Sequence, residues 1–212
     1  MKQVSAIERL QSLPAVFRGA DLTVRFQWTS KTASHYLYLW KRRRLVEDLG
    51  GHSDVFANLL VNRQPNWEKA LLIAMPSAVV IGIEALRLAG WTTQVPSRPA
   101  VAVNARQSVF KTERFEINPR EPKWFDAVRC GIIGDKSGGL PTLAPAWALA
   151  DLLREFEWGA CGLWPDDIEW AEITPQDEDI WKSACKAFDL PDVDLLSQVE
   201  SPRGHEARGQ PI

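Results

Sequence analysis

The chain has 212 residues, 45% of them hydrophobic and 25% charged, with a formal net charge of −2. This composition predicts a soluble globular protein of two modest domains. A membrane-spanning or secreted protein is excluded as an expectation, because the longest apolar run (residues 70–83) is interrupted by Pro76 and the amino terminus lacks an apolar signal region.

The charge is distributed unevenly along the chain. Residues 1–44 contain nine basic and two acidic residues, a charge of +7. Residues 145–200 contain fourteen acidic and three basic residues, a charge of −11. A polyanion would be attracted to the first region and repelled by the second, which favours nucleic acid as a partner of the amino-terminal part.

Two short helices are predicted first. Ser5 and Glu8 have the spacing of a capping box, and Leu10 lies on the apolar face of the helix that follows. A second helix is predicted within residues 19–28, where Leu22 and Phe26 are four residues apart.

Residues 29–46 are the most informative segment. As a helix, they place Ala33, Tyr36, Leu37 and Trp40 on one apolar stripe. Either of two hydroxyl residues can cap the helix start, the end at which a recognition helix approaches base edges and phosphates. The segment supplies these candidate DNA contacts: Thr29, Ser30, Lys31, Ser34, His35, Tyr38, Lys41, Arg42, Arg43 and Arg44.

Two short strands, residues 45–49 and 55–61, are predicted around the turn that follows. A hairpin directly after a basic helix is typical of a wing, with His52 and Ser53 as its DNA contacts, although an ordinary surface role for His52 is an equal alternative. The basic run at residues 41–44, taken alone, is explained as a solvated helix end. The succession of three helices and a hairpin instead predicts a winged helix-turn-helix over residues 1–62.

Residues 63–200 are predicted to form a mixed α/β domain with a small sheet, so the expected fold class is α+β. Asn66 can cap one helix, and Ser77 can cap a second that ends at Gly90. Residues 201–212 are predicted to be a disordered tail. Further predicted elements are strands at 99–104, 114–118 and 128–133, a helix at 146–154, and acidic helices beginning at Pro165 and Pro175.

No catalytic constellation is evident. Residues 131–139 are glycine-rich but lack the order of a phosphate loop, so a surface turn is the better interpretation. The three cysteines, Cys130, Cys161 and Cys185, lack the spacing of a zinc site or a disulfide framework, which favours a reducing cytoplasm.

We therefore predict no enzymatic activity, no cofactor and no metal. The alternative is a metal-dependent nuclease, or another nucleic-acid-processing protein, with a winged-helix targeting domain. Its candidate residues are Glu113, Glu116, Asp126, Asp135 and Lys136.

Two segments resemble the AbiEi antitoxins and transcriptional regulators of phage-defence toxin–antitoxin operons. Residues 83–96, Ile-Glu-Ala-Leu-Arg-Leu-Ala-Gly-Trp-Thr-Thr-Gln-Val-Pro, are similar to the segment that follows the winged helix in that family. Residues 143–153, Leu-Ala-Pro-Ala-Trp-Ala-Leu-Ala-Asp-Leu-Leu, resemble a later helix. The resemblance covers about residues 10–153. The chain departs from the family at Ala146-Trp147, in place of a polar pair, and in a wing without Gly-x-Tyr.

This resemblance implies an abortive-infection antitoxin of type IV. Such a protein represses its own operon by binding operator inverted repeats in double-stranded DNA, and it opposes a nucleotidyltransferase-like toxin without having to contact it stably. The acidic region leaves a third possibility, an interaction module that docks onto a basic partner, although solvated helix faces explain the same charge.

Overall fold

The computed structural model describes residues 5–50, 52–105, 111–135, 138–191 and 194–195. Over these residues the protein is mixed α+β, with short helices and two small sheets. The helices are α1 (Ala6–Gln11), α2 (Gly19–Phe26), α3 (Ser30–Arg42), α4 (Trp67–Ala74), α5 (Gly82–Leu88), α6 (Pro122–Val128), α7 (Pro145–Glu155) and α8 (Pro175–Ala187). The strands are β1 (Val16–Arg18), β2 (Val46–Asp48), β3 (Val55–Asn58), β4 (Val79–Val80), β5 (Ala100–Asn104), β6 (Glu116–Arg120), β7 (Ile132–Ile133) and β8 (Thr142–Leu143).

The first sheet has three antiparallel strands in the order β1-β3-β2. Val16 is opposite Ala57, and Val46 is opposite Asn58. Every residue of the central strand β3 is buried, because both of its edges are paired and helices cover the sheet. The second sheet has the order β6-β5-β4-β8-β7, in which β4 and β8 are parallel and β7 and β8 antiparallel.

The chain divides into two compact units. The first comprises Met1–Val79, Val101–Glu121 and Gly134–Pro141, and the second comprises Val80–Ala100, Pro122–Ile133 and Thr142–Ile212. This division does not test whether residues 1–62 or 63–200 fold alone, so the predicted boundary stays a prediction.

The core of the first unit joins α1, α2 and α3 to the first sheet. Asn58, fully buried, donates from Nδ2 to the Leu10 carbonyl at 2.7 Å and lies 3.4 Å from the Leu13 carbonyl. These bonds fix the end of α1 to β3. The buried cluster consists of Leu10, Leu13, Phe17, Leu22, Ala33, Trp40, Val46 and Phe56.

The core of the second unit is built around α7. The Trp147 ring leaves no space for a side chain at Gly131 and meets Phe188 edge-on at 5.7 Å. Asp151 is buried, and its Oδ1 accepts a 2.7 Å hydrogen bond from the Trp124 indole. The sequence pattern predicted helix α7 but not the burial of the Asp151 carboxylate.

Three predicted elements are wrong. Ser77 does not cap a helix: its Oγ accepts from the Asn104 N–H at 3.0 Å, and the buried, β-branched Val79–Val80 form a strand before α5 begins at Gly82. The predicted strand at 128–133 is reduced to Ile132–Ile133, because Val128 ends a helix. Pro165 begins a short 3-10 turn instead of an α-helix.

The helices α4, capped by Asn66, α7 and α8 agree with expectation, whereas α6 was not predicted. The predicted tail, residues 201–212, lies outside the described residues. In the part of the chain that is described, no helix has the length and apolar character needed to cross a membrane.

Candidate nucleic-acid interface

Helix α3 is held in the first unit by an aromatic cluster. Ala33 and Trp40 are buried on its inner face. Trp28 stacks on Tyr36 with 4.5 Å between ring centroids, and Tyr36 lies 5.8 Å from Trp40. Aromatic pairs of this kind add about 0.5–1.5 kcal/mol beyond their buried area, so the outward face of α3 is presented in a fixed orientation.

The start of α3 is capped by Thr29. Its Oγ1 accepts from the Thr32 N–H at 3.2 Å and lies 2.9 Å from the Thr32 hydroxyl. Of the two predicted caps, Thr29 takes this role, and Ser30 becomes the first helical residue. The first-turn N–H groups that remain without intrahelical partners form the positive end of the helix dipole, which favours phosphate.

The outward face of α3 carries the predicted contact residues on one stripe. Positions 31, 34, 35, 38, 41 and 42 recur at helical spacing, and all are exposed. Tyr38 is 57% exposed, and the Arg42 guanidinium lies 5.8 Å from its ring centroid. The stripe consists of Lys31, Ser34, His35, Tyr38, Lys41 and Arg42, and is called the α3 outer face below.

One cation on this face is already engaged. Lys41 forms an ion pair with Asp48 of β2, while its side chain remains 47% exposed. A phosphate that contacts Lys41 must therefore compete with a carboxylate, or share the ammonium group with it. Asp48 places negative charge beside the α3 outer face, where it opposes indiscriminate binding of polyanions.

The end of α3 has an unusual backbone. Arg43 is the C-cap, and Arg44 has φ +54°, a left-handed conformation that favours glycine. The Arg44 N–H donates to Lys41 O at 2.9 Å and the Leu45 N–H to Trp40 O at 2.9 Å. This is a Schellman motif with arginine at the glycine position, and Arg43 and Arg44 are both exposed.

The β2–β3 turn contains the other two predicted contacts. His52 is exposed and has φ +70°. Ser53 is half-buried, and its Oγ accepts from the Val55 N–H at 3.2 Å. Its hydroxyl therefore has a role in the turn itself, whereas the His52 ring is available to solvent.

A segment distant in the sequence lies against this turn. The buried Thr112 hydroxyl donates to Leu49 O at 2.8 Å. A Cβ at Gly50, where φ is +128°, would lie 3.0 Å from Lys111 O and 3.1 Å from Thr112. Arg114 forms an ion pair with Glu47. No local sequence motif predicts this contact, because the two partners lie some 60 residues apart in the chain.

Two of the candidate residues for a metal-dependent nuclease are engaged in other contacts. Asp135 Oδ2 accepts from the Gly139 N–H at 2.6 Å, and Asp126 pairs with Arg129 at 3.4 Å. Among the described residues, no group of three or more His, Cys, Asp or Glu side chains is placed to hold a metal ion. Lys136 lies outside the described residues, and the three cysteines form no disulfide.

The chain has structural but not sequence neighbours. No protein-family model matches it, and no curated protein matches it significantly. It is similar to the crystal structure of the RV2827C protein from Mycobacterium tuberculosis, with a TM-score of 0.51 and 14% identity. The match covers 85% of this chain and 73% of that protein. At this level of identity the similarity concerns the fold alone.

Proposed function

We propose that the protein is a DNA-binding transcriptional autoregulator whose first unit contacts duplex DNA as a winged helix-turn-helix. The observation that carries this proposal is the α3 outer face: one exposed stripe of basic, hydroxyl and aromatic side chains on a helix whose opposite face is buried.

The dimensions of α3 support major-groove binding. Its 13 residues span about 20 Å at 1.5 Å per residue, and a helix of this diameter fits the major groove of B-form DNA. Lys31, Ser34 and His35 lie in its first half, the part from which recognition helices contact base edges. Arg42 and Arg43 at the far end suit phosphate contacts.

In this proposal the β2–β3 hairpin is the wing. It follows the basic helix directly, and its turn presents the exposed His52. Phosphate or base contact by this imidazole would extend the DNA footprint beyond the helix. The packing of Thr112 against Leu49 stabilises the hairpin in the orientation in which it meets DNA.

The test compares full-length variants on a duplex that covers the DNA upstream of the protein's own gene and on a scrambled duplex. Lys31→Ala, Ser34→Ala or His35→Ala should reduce the preference for the upstream duplex more than the affinity for the scrambled one. Arg42→Ala/Arg43→Ala should weaken both and reduce the salt slope. The matched control is Lys123→Ala/Arg129→Ala, two exposed cations on or beside α6. Binding of neither duplex by the unmodified protein would refute the proposal.

We also propose a cytoplasmic antitoxin role opposite a nucleotidyltransferase-like toxin, without enzymatic activity or cofactor. Its support is the AbiEi resemblance over residues 83–96 and 143–153. Co-expression with a toxin gene from the same operon should restore growth. Pull-down with that toxin then distinguishes direct contact from indirect action, and Mg²⁺-dependent cleavage of DNA abolished by Glu116→Ala would favour the nuclease alternative.

A further inference from the structure

A shallow groove lies beside the end of α3. It encloses about 360 Å³ and is lined by Arg44, Leu45, Leu59, Leu60 and Arg63. Both arginines are exposed, and Leu60 is 40% exposed. We call this feature the two-arginine groove.

Hydrogen bonds hold the segments that line the groove. The Leu59 N–H donates to Leu45 O at 2.9 Å, which joins the end of β3 to the segment after α3. The Leu60 N–H donates to Asn58 Oδ1 at 3.2 Å, and the Asn62 N–H donates to Asn58 O at 3.0 Å. The buried Asn58 thus holds the turn that carries Arg63, so the groove is formed without a ligand.

The charge of the groove is uncompensated in the part of the chain that the structure describes. There, neither Arg44 nor Arg63 forms an ion pair with a carboxylate, unlike Lys41 and Arg114. Two guanidinium groups at one concave surface favour an anion, since each presents several donors in a planar array that matches phosphate oxygens.

The lining of the groove favours one kind of anion. It combines two arginines with the exposed Leu60, and the sugar–phosphate backbone likewise combines charged phosphates with apolar deoxyribose faces. The groove is also continuous in sequence with the basic end of α3, which the proposed function places on DNA. We propose that the two-arginine groove binds the DNA backbone next to the segment contacted by α3, and that Arg63 is a phosphate contact. This inference rests on the proposed function.

The experiment measures binding of the full-length protein to a labelled random 30-base-pair duplex by fluorescence anisotropy over a range of salt concentrations. The variants are Arg44→Gly/Arg63→Gln, the charge-preserving Arg44→Lys/Arg63→Lys, and the control Lys123→Ala/Arg129→Ala. Glycine suits the backbone at position 44, so misfolding does not explain a loss of binding. A parallel Lys31→Ala/Arg42→Ala variant reports on the α3 outer face alone.

We expect the Gly/Gln variant to bind roughly tenfold more weakly, a loss of about 1.4 kcal/mol, and its salt slope to fall by up to about 2, near 0.9 for each lost phosphate contact. The lysine variant should keep most of the slope, and the control should match the unmodified protein.

Unchanged affinity and salt slope of the Arg44→Gly/Arg63→Gln variant, with weakened binding by the Lys31→Ala/Arg42→Ala variant, would overturn the groove assignment and leave the proposed function intact. Failure of the unmodified protein to bind any duplex would remove both. Intact DNA binding with lost protection against a co-expressed toxin would instead assign the groove to an acidic protein surface and overturn the inference.

Discussion

Replacement of Arg44 by glycine is expected to stabilise the protein while it weakens DNA binding. Arg44 has φ +54° at the end of α3. A left-handed conformation costs a residue with a Cβ about 1–2 kcal/mol, and glycine escapes this cost. Glycine also loses more conformational entropy on folding, which offsets about 0.4–1 kcal/mol of the gain. The difference of these ranges is about 0 to 1.6 kcal/mol, so the free energy of unfolding should rise by about 0.8 kcal/mol and Tm by about 2–4 °C for each kcal/mol.

Arg44→Ala is the matched control, since it removes the same charge but keeps the left-handed backbone of a residue with a Cβ. Urea denaturation of both variants separates the two effects, provided that the m-value is unchanged. Glycine should give the higher midpoint, while both variants bind duplex DNA equally weakly. Equal midpoints for the two variants would refute the strain at this position. A glycine variant that binds as tightly as the unmodified protein would refute the role of the guanidinium group.

Three other substitutions test separate contacts. Asp48→Asn releases Lys41 and removes a negative charge, so the affinity for scrambled duplex should rise roughly two- to fivefold, the range expected for an exposed ion pair. An unchanged affinity would contradict competition between Asp48 and phosphate for Lys41. Asn58→Ala should lower the free energy of unfolding by about 1–3 kcal/mol, because the Leu10 carbonyl loses the hydrogen bond from the buried Asn58 amide. The control Asn62→Ala, at an exposed position, should lower it less. Similar denaturation midpoints for the two variants would argue against a stabilising role for the Asn58–Leu10 hydrogen bond. Hydrogen bonding from the Ser5 N–H lowers the pKa of Glu8 below 4.5, so the stability that Glu8 contributes is present above pH 4.5 and is lost as the pH falls through the lowered pKa. In Glu8→Gln the denaturation midpoint should therefore fall less steeply with decreasing pH than in the unmodified protein. An identical pH dependence in the acid range would contradict this prediction.

Local signals predicted the helices well. Ser5, Thr29 and Asn66 each cap the helix that follows, with the side-chain acceptor bonded to a backbone N–H three residues later. A cap needs only a short side chain and its near neighbours, so three or four residues of sequence suffice to predict it. The apolar stripe of α3 is equally local, and it predicted which face is exposed.

Short elements defined by distant partners were not predictable in the same way. β1 has three residues and exists because it pairs with β3, about 40 residues later. β4 has two residues and was assigned to a helix, although Val79 and Val80 are both β-branched and buried. α6 was missed, but Pro122 at its start and Trp124 four residues before Val128 are the signals of a short buried helix.

The candidate interface divides along the same line. Periodicity predicted the α3 outer face, but neither the Lys41–Asp48 pair nor the Thr112–Leu49 hydrogen bond has a sequence motif. The two-arginine groove likewise combines Arg44 with Arg63, which come together only when β3 returns beside the end of α3. Helical position predicts exposure, whereas tertiary folding decides which charges are already paired.

The hydrogen bond from Thr112 to Leu49 can form only late in translation. When the basic helix and the hairpin leave the ribosome, the residue that closes the hairpin turn has not been made. At about 5–20 residues per second, Thr112 is added roughly 3 to 12 seconds after Leu49, and the first unit also includes residues as late as Pro141. Contacts between such distant positions form slowly, because the intervening chain must be ordered first. A nascent chain therefore carries the basic residues of α3 before the contact that holds the hairpin turn can form, and the first unit is completed only when about two thirds of the protein has been translated.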